Sequence, residues 1–161
     1  MPIGWTNPTA GVDTMKYYSS EGAMKAHVLQ FDPGDLLLEG IQEFIAATGL
    51  TDGVVVSGIG TLSDTTMHMV TTTTFPAVEV MPTYADLALE LVSMQGVVAN
   101  GTPHIHMMVS DQRSAVGGHL EPGCRVLYLA EVVIWEFTGL PLTRVPGVED
   151  ILKLVPRGAQ Q

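Results

Sequence analysis

The chain has 161 residues and a mass of 17.2 kDa, the size of a single domain able to bury a real core. Hydrophobic residues make up 46% and charged residues 15%, below the roughly 25% charged of an average chain, which excludes disorder. No apolar run approaches the roughly 20 residues of a membrane-spanning helix. Seventeen acids against seven bases give a net charge of −10. The bases, Lys16, Lys25, Arg113, Arg125, Arg144, Lys153 and Arg157, form no cluster. That scatter argues against direct nucleic-acid binding and against docking on an anionic membrane. High apolar content with few charges predicts surface buried between subunits.

Residues 1–22 are rich in Gly, Pro, Thr and Ser and read as an irregular arm without a signal-peptide pattern. The expected location is cytoplasmic. Cys124 is the single cysteine, so an intrachain disulfide and a Cys-rich zinc site are both excluded. The main domain is placed at 23–145 and a C-terminal segment and tail at 146–161. Within that tail, residues 154–158 resemble a thrombin-cleavage linker, with a native segment the equal alternative, and receive no functional weight.

In chain order, 23–31 alternates as a strand. Asp32-Pro33-Gly34-Asp35 reads as a helix start, with Asp32 as cap and Asp35 near the positive end of the dipole. Leu37, Leu38, Ile41, Phe44 and Ile45 recur at helical spacing, and Gly49 falls where a left-handed C-cap belongs. Val54-Val55-Val56 reads as a buried strand that ends in a tight passage at Ser57-Gly58-Ile59-Gly60. Further strands are predicted over 65–75, 87–94, 102–110 and 125–137, with a break at Gly117-Gly118. One helix against six or seven strands predicts an α+β fold with a largely antiparallel sheet or barrel.

The chemistry concentrates in Pro103-His104-Ile105-His106 and Gly117-Gly118-His119-Leu120. Residues two apart on a strand share a face, so His104 and His106 can converge on one metal ion. His119 would join from the next strand, and three imidazoles leave a coordination position open, as in catalytic zinc sites. The alternative is a pair of half-exposed polar residues. His27 and His68 read as packed or edge histidines. Glu90 and Glu131 stand in otherwise apolar strands and are the candidate proton carriers. Their plainer reading is an ion pair with Arg113 or Arg125, or a place on the solvent face. Cys124 reads as an inert thiol, and the methionines as packing.

Taken in order, six segments resemble the plant and prokaryote conserved (PPC) domain family. They are Phe31-Asp32-Pro33-Gly34-Asp35-Leu36-Leu37, the glycine-rich run 53–64, Leu89-Glu90-Leu91-Val92-Ser93-Met94-Gln95-Gly96, the two histidine motifs, and Ala130-Glu131-Val132-Val133-Ile134. The resemblance implies an α+β domain with a mostly antiparallel sheet, assembled as a homotrimer. It also implies that His104, His106 and His119 ligate a divalent metal, zinc in the first instance. The AT-hooks that carry DNA binding in plant members are missing from this chain. A cupin, with its own His-x-His pair, is the fold-level alternative.

The functional expectation is a metal-dependent enzyme on a small carboxylate or carbonyl compound, of hydrolase, lyase or isomerase type, with Glu131 or Glu90 moving the proton. The alternative is a non-enzymatic oligomerisation or DNA-associated module without direct DNA contact. Residues 71–86 match the family pattern poorly, and such loops shape access to a site.

Overall fold

One long strand organises the sheet. The computed structural model describes residues 16–158. It contains β1 (Met24–Phe31), α1 (Leu37–Thr48), β2 (Gly53–Val70), β3 (Glu79–Val80), β4 (Thr83–Tyr84), β5 (Leu89–Ala99), β6 (Thr102–Ser110), β7 (Ala115–Leu120), β8 (Arg125–Phe137), β9 (Leu142–Pro146) and β10 (Leu152–Pro156). The first part of the 18-residue β2 pairs with β8 on one side and β5 on the other. From β5 the sheet continues to β6 and β7, and β7 returns to the far end of β2 through Met67↔Leu120 and His68↔His119. All of these pairings are antiparallel, and β1 extends the sheet beyond β8. The fold is thus mostly antiparallel sheet with one short helix, as the sequence predicts.

Alternation decides what is buried. Leu62, Met67, Leu91, Met94, Ile105, Met107, Val109 and Leu120 point inward, and α1 adds Leu37, Leu38, Ile41 and Ile45 over Val132 and Ile134. The opposite side carries His104, His106 and Met108, and further along it Ile59, Leu129, Trp135 and Val28 are exposed.

Several predicted boundaries move. Asp32–Asp35 is a turn outside the helix: the Asp35 amide donates to the Asp32 carbonyl at 3.2 Å, and the Asp32 amide donates to the Asp35 carboxylate at 2.8 Å. Gly34 at φ 93° cannot start a helix, and its amide donates to the Val126 carbonyl at 2.9 Å, so α1 begins at Leu37 with no side-chain cap. Gly49 does cap the helix in the left-handed region, donating to Ile45 at 3.0 Å.

The two strands predicted on either side of Ser57–Gly60 are one. A Cβ at Gly58 would meet that of Met94 at 2.6 Å, so this glycine allows a close approach within the sheet and does not mark a turn. Gly117 and Gly118 likewise lie inside β7. The strand predicted over 65–75 stops at Val70, where the chain leaves for a loop closed by Thr71 donating to the Val78 carbonyl at 2.8 Å.

The 154–158 segment belongs to the fold. Residues 154–156 pair with β9, and Arg157 binds buried Asp52 at 2.8 Å and the Asn100 side chain at 2.7 Å. Asp52 also accepts the Leu142 amide at 2.7 Å. One buried carboxylate therefore pins both strands of the C-terminal hairpin. Of the arm, residues 1–15 lie outside the described residues, and 16–22 form no helix or strand. Because Asp52→Ala leaves that guanidinium and amide without their acceptor, we expect a loss of about 2–4 kcal/mol in denaturant unfolding. Earlier proteolytic cleavage of the C-terminal hairpin should accompany it.

Candidate metal centre

Strand register brings four histidines together. On β6, His104 and His106 share the outward face, and His106 stands opposite His119 on β7, which stands opposite His68 on β2. The Nε2 atoms of His104 and His106 are 3.3 Å apart. The His119 ring centroid lies 5.0 Å from that of His104 and 5.6 Å from that of His106. The sequence-derived trio is therefore one cluster.

Carboxylates back it. Glu121, two residues beyond His119, accepts a hydrogen bond from His119 Nδ1 at 2.9 Å. Glu79 on β3 approaches His68 Nε2 at 3.1 Å. Partial burial, then repulsion from His119, holds the His104 and His106 imidazoles below the usual histidine range, and the nearby Arg144 guanidinium adds to the effect at His104. Arg144 is fixed by donating to the Thr102 and Val97 carbonyls at 3.0 and 2.8 Å.

This donor chemistry fits a divalent ion. Two ligands of one ion at 2.0–2.2 Å stand roughly 3 to 4 Å apart, which the His104–His106 pair satisfies. Both imidazoles favour the neutral, ligating form. His119 has the arrangement of a metal-ligating histidine, with one ring nitrogen held by a carboxylate and the other free. Among the described residues, the group whose donor atoms all lie within 4.8 Å of one another is His68, His119 and Glu121. It shares only His119 with the trio.

The cluster forms one wall of an open cleft of about 920 Å³. The other walls are the 72–75 loop, with three threonines and Phe75, and residues 149–152, from the turn between β9 and β10 and the start of β10. The poorly matching loop thus lines the same cleft as the histidines.

Glu90 and Glu131 are not brought to the cleft. They flank β2 opposite Thr61 and Ile59, exposed on the outward face, and neither lines the cleft walls. Among the described residues neither pairs with Arg113 or Arg125, and Arg125 instead meets Asp64 at 3.4 Å. His27 packs edge-on against Phe44 and bonds Glu136 at 2.8 Å, the packed role expected of it. His68 is not merely an edge residue, since it stands in the cleft beside His119. Its role, and that of Glu79, depends on the long-range β2–β7 and β2–β3 pairings. The one local signal was the His119-Leu120-Glu121 spacing, which puts Glu121 beside its histidine. Cys124 is buried, its thiol pushed up by burial, and its Sγ bonds the Thr66 carbonyl at 3.3 Å.

A family model, the Plants and Prokaryotes Conserved (PCC) domain, matches residues 18–138. The chain belongs to this family. Among solved structures, a metal-containing protein of Archaeoglobus fulgidus matches at TM-score 0.72 and 24% identity, over 86% of this chain and 96% of that one. A plant- and prokaryote-conserved protein of Pyrococcus horikoshii matches at 0.71 and 20%, over 83% and 94%. A Bacteroides thetaiotaomicron protein, described provisionally as DNA-binding, matches at 0.71 and 17%, over 83% and 96%. At these identities the likeness is one of fold, and it replaces the cupin alternative. The bifunctional protein GlmU of a Synechococcus strain is 27% identical over 126 residues, and the PCC chain spans about a fifth of that relative's length.

For the PCC chain free of metal, the lowered histidine values set a direction with pH. A folded value below the unfolded one means that stability falls as pH drops through the ordinary imidazole range toward the folded value, and is unaffected above it. In an NMR titration His104 and His106 should titrate below 6.5, and His119→Ala should raise both.

Proposed function

We propose that the chain is a divalent-metal protein in which His104, His106 and His119 hold one ion, zinc in the first instance, on the wall of the cleft. The 3.3 Å approach of the two Nε2 atoms carries this reading. When bound, such an ion supplies a Lewis acid able to polarise a substrate oxygen or lower the pKa of a water. Glu121 holds His119 in the ligating orientation, the threonines of the 72–74 segment offer hydroxyls, and Phe75, Ile151 and Leu152 add apolar surface to the walls. A small carboxylate or carbonyl compound suits this cleft, with hydrolase, lyase or isomerase chemistry. Within one chain the carboxylates placed to move a proton are Glu79, Glu149 and Asp150 on the cleft walls and Glu121 beside them. Glu90 and Glu131 would serve only across a subunit boundary.

The second reading is a non-enzymatic assembly module, favoured by the outward sheet face. There Val28 is 73% exposed, and Ile59, Leu129 and Trp135 are 41–50% exposed. Apolar area of that extent on a chain with few charges calls for a partner, and we propose a homotrimer built through it. No helix among the described residues is long and apolar enough to cross a membrane, and we place the protein in the cytoplasm.

Native mass spectrometry tests metal and assembly together. The expected species has the mass of three chains and binds zinc, and His104→Ala with His106→Ala removes one ion per chain while leaving the trimer. Trp135→Arg should release monomers. Full metal content in the double variant would contradict the assigned ligands. A trimer unchanged by complete metal removal, with no small molecule bound, would favour the assembly module.

A further inference from the structure

The geometry points to a second cation position beside the first, held by His68 and Glu121 and oriented by Glu79. This rests on the reading that the first ion sits on His104, His106 and His119, and it assigns a role to a histidine which that reading leaves idle.

His68 faces a carboxylate at each ring nitrogen and is hydrogen-bonded to neither. Its Nδ1 is 3.8 Å from Glu121 Oε1, too far for a hydrogen bond. Its Nε2 is buried and 3.1 Å from Glu79 Oε2, yet makes no hydrogen bond. A half-buried imidazole between two acceptors normally donates to one of them. The 3.8 Å separation lies within the roughly 3 to 4 Å that two ligands of one divalent ion keep. An ion between Nδ1 and Glu121 supplies the missing link. The tautomer it requires leaves the proton on Nε2, with Glu79 Oε2 standing 3.1 Å away as the neighbouring outer-shell carboxylate.

Glu121 then joins the two centres. Its Oε1 accepts from His119 Nδ1 at 2.9 Å, and its carboxylate still has lone pairs for an ion on the His68 side. The donor atoms of His68, His119 and Glu121 lie within 4.8 Å of one another, so no strand has to move. Charge favours the same conclusion. Glu79, Glu149 and Asp150 line the cleft, Glu121 adjoins it, and no lysine or arginine is among its walls. One divalent ion offsets two of those four negative charges, and a second offsets the rest. An imidazole with a carboxylate suits Zn²⁺ or Mn²⁺, and only two protein ligands make this the weaker, exchangeable position.

The test is a zinc titration of the metal-free full chain, read as ions bound per chain by equilibrium dialysis and repeated with Mn²⁺. The native chain should saturate at two ions, and His68→Ala and His68→Asn at one, with thermal unfolding of the asparagine variant reporting that the sheet is intact. The His104→Ala, His106→Ala pair should also retain one, the weaker. Saturation of the native chain at a single ion, lost in the double variant and kept in both His68 variants, would overturn the second position and leave the first. A single ion lost only in the His68 variants would overturn the first reading and keep His68 as a ligand. Two ions in both His68 variants would also overturn the second position.

Discussion

The return of β7 onto the far end of β2 is the constraint on which the site depends. A sheet that continued outward from β6 would leave His119 on an edge and His68 far from it. Closure makes them direct cross-strand neighbours, with His106 on the other side of His119. Because side chains alternate, a slip of one residue in either ladder would turn a histidine into the core and a Met or Leu out of it. The buried Met67↔Leu120 pair beside His68↔His119 resists such a slip. Core packing and site geometry are thus two faces of one register.

That register has an electrostatic consequence. Four imidazoles share a small area of sheet, and partial burial, with repulsion from neighbouring imidazoles second to it, disfavours protonation of His104 and His106. Carboxylates at Glu121 and Glu79 approach from the β2–β7 side, while Arg144 stands toward His104. His104 and His106 are therefore held toward the neutral, ligating form, and carboxylates stand on one flank, a setting that draws cations. A chain of net charge −10 with its bases scattered reinforces this preference.

Local patterns carried much of this. The alternation of Thr102–Ser110 and Arg125–Phe137 defines β6 and β8 as the structure has them, and His104-Ile105-His106 states its own geometry because two residues on a strand share a face. The C-cap at Gly49 was equally local. Long-range pairing was not readable. Gly58 and Gly118 looked like turn residues because a glycine that opens a turn and one that admits a neighbouring strand have the same letter. His68 looked isolated because its partner lies 51 residues away across a closure that no local pattern encodes. Glu90 and Glu131 stood out because their neighbours are apolar, and of the readings this allowed, a proton carrier, an ion pair or a place on the solvent face, the structure has the solvent face. The 154–158 segment looked like an appendage until the buried Asp52 showed what holds it.

The central claim is that three histidines from β6 and β7 hold one ion. X-ray diffraction from zinc-loaded crystals, with anomalous data collected on either side of the zinc edge, tests it most directly. The account predicts a zinc peak within about 2.0–2.1 Å of a nitrogen of each of His104, His106 and His119, with Glu121 still on His119 Nδ1. A zinc peak ligated elsewhere, with the His104 and His106 nitrogens facing only solvent, would contradict it.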